Sequence, residues 1–197
     1  MLFRSNVQKS DGMYYDGGVS LTPTGSPRFG SVDPTPPPTS GQIFTYTYNC
    51  TSKQSYQYSW SNWSTDGSCK QGAWGYGLRG GHMFFDIGTI RAEMTGTIQD
   101  GNTITLTRAN NGGISGDANV YINGSTCSSA SGTPSYSNQT HLGTLKWGET
   151  KTFTLPKEIV QNLINGTCNS LAVYVNSTAN NNYINITSAS ITLKTKK

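Results

Sequence analysis

Apolar and polar positions alternate along much of this chain, and that period of two is its main structural signal. Phe44, Tyr46 and Tyr48 alternate with Thr45, Thr47 and Asn49, which predicts a half-buried strand beginning at Ile43. Tyr56, Tyr58 and Trp60 repeat the pattern, so Trp60 is expected in the core, and residues 51–55 between the two runs are short enough for a hairpin. Residues 82–87, HMFFDI, form a continuous apolar run expected as a central strand, with Asp86 partly buried and accepting hydrogen bonds from backbone amides or Arg91. Further strands are predicted over 103–108, with Ile104 and Leu106 facing in, at Ala118, Val120 and Ile122, over 151–155, and at Leu171, Val173 and Val175. Near the C-terminus Ile184 and Ile186 are even-numbered, whereas Ile191 and Leu193 are odd-numbered. A change of parity within one strand predicts a bulge near 187–189.

Helical periodicity is scarce. Residues 88–96 have room for one turn, with Ile90 and Met94 on one side. The helix expected over 156–165 has proline at its first position, Glu158 in its first turn and Gly166 as its stop. Ile159, Val160, Leu163 and Ile164 share a face that would cap the open end of a sandwich. Residues 126–139 read as a Ser-rich surface loop. Residues 1–41 are broken by Gly17, Gly18, Pro23, Gly25, Pro27 and Gly30 and end in a proline-rich segment, so they are expected as an extended arm. Both a disordered leader and a docking arm anchored by Phe3, Met13, Tyr14, Tyr15 and Phe29 remain open. Residues 42–197 would then be one domain. About eight or nine strands and one short helix fit an all-β, two-sheet antiparallel sandwich of the jelly-roll kind.

Composition agrees with this picture. Charged residues make up 12% of the chain and glycines number 23, a balance that disfavours helices. The net charge of +4 is thinly spread, its only cluster being Lys194, Lys196 and Lys197, so no nucleic-acid partner is expected. No apolar stretch is long enough for a membrane span, and the N-terminus does not read as a signal peptide. Cys50, Cys69, Cys127 and Cys168 lack metal-site spacing, and no metal or cofactor is expected.

Residues 56–85 concentrate the candidate chemistry. Flat aromatic rings stack on the C–H faces of sugars while polar side chains bond their hydroxyls. Trp63, Asp66, Lys70, Trp74, Tyr76, Arg79 and His82 supply both kinds of group. Burial is the competing role for Trp63 and Trp74. Arg108 could pair across strands or meet a partner. No catalytic residues are assigned. Glu149 and Glu158 have ready structural roles, Asp66 precedes the turn residue Gly67, and neither His82 nor His141 has triad-like neighbours.

The order of segments also carries a resemblance. The run YSWSNWSTDGSCKQGAWGYGLRGGHMFFD is followed by GTIQDGNTITLTRANNGG, then LGTLKWGETKTFTLPKEIVQNLING, SLAVYV and YINITSASITLKTK. Together they resemble a jelly-roll, carbohydrate-binding-like module found at the C-termini of tail and minor structural proteins of bacteriophages of Gram-positive bacteria, over roughly residues 56–195. The resemblance implies a virion protein of the tail, fibre or head-fibre kind, made in the host cytoplasm. It would bind host-surface glycan and contact other virion proteins through its arm. A homo-oligomer such as a trimer stays open. A decoration protein without ligand and a glycan-degrading enzyme are the alternatives.

Overall fold

The structure, a computed structural model, describes residues 7–8, 14–16, 19–20, 41–73, 77–176 and 183–197. The chain divides into two compact units, residues 1–39 and 40–197. In the first, β1 (Val7–Gln8), β2 (Tyr14–Asp16) and β3 (Val19–Ser20) pair antiparallel in chain order.

The second unit is mostly antiparallel β. Its strands are β4 (Ile43–Asn49), β5 (Ser52–Gln57), β6 (Asn62–Trp63), β7 (Lys70–Ala73), β8 (Leu78–Phe84) and β9 (Thr97–Ile98). They continue with β10 (Thr103–Arg108), β11 (Ala118–Ser125), β12 (Tyr136–Leu145), β13 (Thr150–Thr154), β14 (Ser170–Val173) and β15 (Ile184–Lys196). Hydrogen bonding runs β12-β11-β14-β8-β7-β15-β10-β13. To this path β5 adds at β8, β6 at β5, and β4 and β9 at β15. The two ends of the path, β12 and β13, are consecutive in the chain. The Glu149 amide donates to the Lys146 carbonyl across the turn between them, and the sheet is nearly closed.

β15 organises one side of this sheet. It pairs with β7, β10, β4 and β9, and the parity change in its sequence is a real bulge: Ser188 faces Thr107 but Ile186 faces Arg108, leaving Thr187 over. On one face of this side Ile104, Leu106, Ile191 and Leu193 are fully buried. The opposite face is a lattice of hydroxyls. Thr103, Thr105 and Thr107 lie opposite Thr154, Thr152 and Thr150, and opposite Thr192, Ser190 and Ser188. The Thr105–Thr152 and Thr107–Thr150 side chains are hydrogen-bonded at 2.8 Å. β-branched threonine suits a strand and stays polar toward water, which is why these positions alternate so cleanly.

Three expectations need correction. The segments around Phe44 and Tyr56 are not a hairpin. The Cys50 amide donates to Ala189 and the next amide, Thr51, donates to Phe84, so consecutive residues join two different parts of the sheet. β7 and β8 pair through Gly72 with Arg79 and Ala73 with Leu78. Gly80 and Gly81 are central strand residues because a Cβ on Gly80 would strike the Tyr136 hydroxyl, and one on Gly81 the backbone at Cys69 and Lys70. Among the described residues twelve strands replace the eight or nine expected in this unit, because β6 and β9 are only two residues long and β12 lies in a polar stretch with weak alternation. There are also two helices, α1 (Ile87–Glu93) and α2 (Lys157–Asn165), rather than one.

The first helix explains Asp86. It is exposed and caps α1, accepting from the Thr89 amide at 3.1 Å and the Thr89 hydroxyl at 2.8 Å, so the strand stops at Phe84. Arg91 instead reaches α2, donating to the Leu163 and Cys168 carbonyls and to Asn169 Oδ1. In α2 Pro156 is the residue before the first turn, Gly166 closes the helix at φ 89°, and Ile159, Val160 and Leu163 are fully buried. All four cysteines are free thiols.

Arg108 neither pairs with an acid nor faces solvent. It is 1% exposed, and its guanidinium donates to the carbonyls of Gly116 and Leu145 at 2.7 and 2.8 Å and also to that of Ile114. Its carbon Cζ stands 5.3 Å from the Trp147 ring centre. One side chain thus ties the segment before β11 to the turn between β12 and β13.

Candidate functional site

The residues expected to form a binding surface separate into an inner group and an outer group. Trp63 belongs to the inner one. It ends the short ladder of β5 and β6, where Tyr56 faces Trp63, and its indole N–H donates to the Gly132 carbonyl at 2.8 Å. Its ring meets Tyr56 edge-on at 5.4 Å and His82 at 4.7 Å. His82 is fully buried, because it lies on β8 between β5 and β14, opposite Gln54 and Ala172. Met83, the next residue, points into the main core, so His82 and Phe84 point to the other face of the sheet. There they join Tyr136, whose ring is 5.4 Å from His82, and Tyr136 stacks on Tyr174 at 4.1 Å. The segment after β11 lies over this layer. Beyond Gly132, it supplies Thr133, 3.4 Å from the Tyr56 hydroxyl, and the Cys127 carbonyl, which accepts from Ser170. The result is a second, aromatic packing layer on the outside of the sheet.

Its electrostatics are those of an interior. Burial lowers the His82 imidazole to about 4, only partly offset by the contact of Nδ1 with the Gly80 carbonyl at 3.1 Å, so the ring is neutral at pH 7. Burial also pushes the Tyr136 phenol far above its ordinary value, with the neighbouring Tyr58 adding to the rise.

Asp66 and Lys70 form the outer, ionic pair. Lys70 Nζ is 2.9 Å from Asp66 Oδ2, and Asp66 Oδ1 accepts from the Ser68 amide and hydroxyl, a local turn that the Asp-Gly sequence favours. Partial burial raises the Asp66 carboxyl, but the Ser68 hydroxyl, Lys70, the Ser68 amide and Ser64 outweigh it and hold the group well below the usual carboxylate range. Arg79 is buried on β8 opposite Gln57 and Gly72. Trp74 and Tyr76 lie outside the described residues.

The residue that sequence reasoning placed wrongly is Trp60. The strand expected through it ends at Gln57, and Tyr58–Trp60 form a single 3-10 turn. Ser61 follows in the left-handed region at φ 49°, the register is lost, and Trp60 is 54% exposed. This turn abuts the start of β8: a Cβ on Gly77 would collide with the Ser59 hydroxyl. Exposed Asn62 follows, and its Oδ1 accepts from Gln57 Nε2 at 3.3 Å. Trp60 therefore lies more than half exposed on a short turn beside small polar side chains. The dipeptide signal that could have found it is weak, since Ser-Asn after an aromatic run is only a generic turn former.

The acidic groups of this unit are engaged locally. Glu93 accepts from the Tyr48 hydroxyl, Glu149 from the Lys146 amide, and Asp100 lies 3.7 Å from Lys157. Among the described residues no three or more His, Cys, Asp or Glu side chains gather as a metal site, and no helix is long and apolar enough to cross a membrane. A cleft of about 260 Å³ lies at the crossing from β4 to β5, lined by Asn49, Cys50, Lys53 and Ser188, and it includes none of the predicted site residues. The chain matches no protein-family model and no curated protein.

Proposed function

We propose that residues 42–197 are a jelly-roll module of a bacteriophage virion protein that attaches to host-surface carbohydrate. The observation that carries the binding is the exposed indole of Trp60 on its short turn, 54% in solvent beside Asn62. A partly exposed aromatic ring beside hydroxyl and amide side chains suits the mixed apolar and polar faces of a sugar. The resemblance of the ordered segments to those of phage tail and minor structural proteins supports the virion assignment. The nearly closed antiparallel sheet, with β12 and β13 at its ends, is compatible with a jelly roll. In this reading residues 1–41 contact other virion proteins and the module holds rather than cuts, in keeping with the local bonds of Asp66, Asp86, Glu93 and Glu149.

A purely structural decoration protein is the second reading. It is favoured by the full burial of His82, which removes that expected ligand group from the surface, and by the bond that ties the half-buried Trp63 to Gly132. Sedimentation of the full chain with purified Gram-positive cell walls, with reducing ends assayed in the supernatant, separates the possibilities. Retention without sugar release is expected. No retention would favour the structural reading, and steady release of reducing ends would make the protein an enzyme.

A further inference from the structure

We propose that the free edge of β4 pairs with β4 of a second copy of this chain, across a two-fold axis, to form an antiparallel dimer.

The backbone defines which groups are available. In an antiparallel ladder alternate residues aim both N–H and C=O at the partner. The Lys197 amide donates to the Gln42 carbonyl and the Cys50 amide to the Ala189 carbonyl, so the even-numbered residues of this strand face β15. Ile43, Thr45, Thr47 and Asn49 therefore aim their backbone groups away. Among the described residues no strand pairs with that edge. Protein edges are normally protected by a lysine, a proline, a bulge or shortness. β4 has none of these: its seven residues, IFTYTYN, carry no charge and keep one unbroken register with β15. Ile43, at its start, is 56% exposed.

The occupant follows from self-complementarity. Pairing two copies about Tyr46 sets Thr45 against Thr47 of the other copy and Ile43 against Asn49, through the outward backbone groups. Between them Tyr46 meets Tyr46, and Phe44 meets Tyr48. Aromatic–aromatic and Thr–Thr neighbours are favourable cross-strand pairs. In each copy Phe44, Tyr46 and Tyr48 are half-buried and already stacked in a ladder with centroid spacings of 6.4 and 6.3 Å, which the second copy would continue. Charge agrees with this symmetry. Lys194 and Lys196 lie beside Thr45 and Ile43, whereas Asn49 has Ser190 beside it. The two-fold axis sets each Lys194–Lys196 end against the Asn49 end of the other copy, so these lysines do not meet their own counterparts. An isologous contact of this kind closes at two chains.

The test uses the full chain and its mass in solution, by sedimentation or light scattering at micromolar to high-micromolar concentration. The wild type is expected at twice the chain mass. Thr47→Pro removes an amide that points away from β15 and is expected to shift the mass to that of one chain. Thr45→Lys with Thr47→Lys sets lysines opposite one another on the exposed face and is expected to do the same, should the proline variant fail to fold. Thr47→Val, a strand former, is expected to remain dimeric. A monomeric wild type, a trimer, or a folded double-lysine variant that still dimerises would overturn the proposal. None of these readings depends on whether the protein binds glycan.

Discussion

Trp63 stands edge-on to His82, with ring centroids 4.7 Å apart and planes at 65°, in a layer that excludes water from the imidazole. The consequence is a pH dependence of stability. In the unfolded chain His82 takes a proton near pH 6.5, but in the folded state only near 4. Between those values the unfolded state binds more protons, so stability falls as pH drops from about 6.5 to about 4 and levels off below, by roughly 3 kcal/mol in all. Asp66, depressed in the fold, loses its contribution at lower pH, beneath the ordinary carboxylate range, so the two effects separate. Urea midpoints at pH 7 and pH 5 should differ in the wild type and differ much less in His82→Phe. Equal sensitivity in both proteins would show that the imidazole is not protected.

Arg108 is the opposite case, a charged group held inside by carbonyls. Replacing it with methionine leaves the Gly116, Leu145 and Ile114 carbonyls without their donor and cuts the tie to the turn at Trp147. The expected loss is about 2–4 kcal/mol by chemical denaturation, since buried acceptors go unpaired. A change within experimental scatter would mean that water reaches these carbonyls.

Gly81 tests the hairpin of β7 and β8. A methyl group there meets the backbone at Cys69 and Lys70, which no side-chain rotation relieves. Gly81→Ala should therefore destabilise by about 1–3 kcal/mol. Gly112→Ala has open space around it but sits at φ 68°, so it should show only the modest backbone cost of that conformation. Equal effects at the two positions would argue against the close approach.

The sequence was most readable where one face of a strand is buried and the other is wet. β10 matches its predicted span, and the bulge in β15 is where the isoleucine parity changes, because a pleated strand cannot shift phase without an extra residue. It was least readable where both faces are covered. Around His82 the second aromatic layer buries residues that the pattern offered as ligands, and nothing local to β8 announces that Tyr136 and Tyr174 will lie over it. Trp60 failed for a different reason. The strand ends at Gln57 and a 3-10 turn carries Tyr58–Trp60, and periodicity is blind to a backbone turn. Gly80 and Gly81 sit inside β8, where their missing side chains make room for neighbours from other strands, a contact that no local pattern announces.

The role of that tryptophan is the point on which the functional account turns. The decisive measurement is glycan-array binding of the full chain and its Trp60→Ala variant, with matched unfolding curves. A defined set of bound glycans is expected, with a loss of about tenfold or more in affinity on removing the indole while the variant still unfolds cooperatively. A wild type that binds no glycan, or a variant that binds as tightly as the wild type, would contradict it.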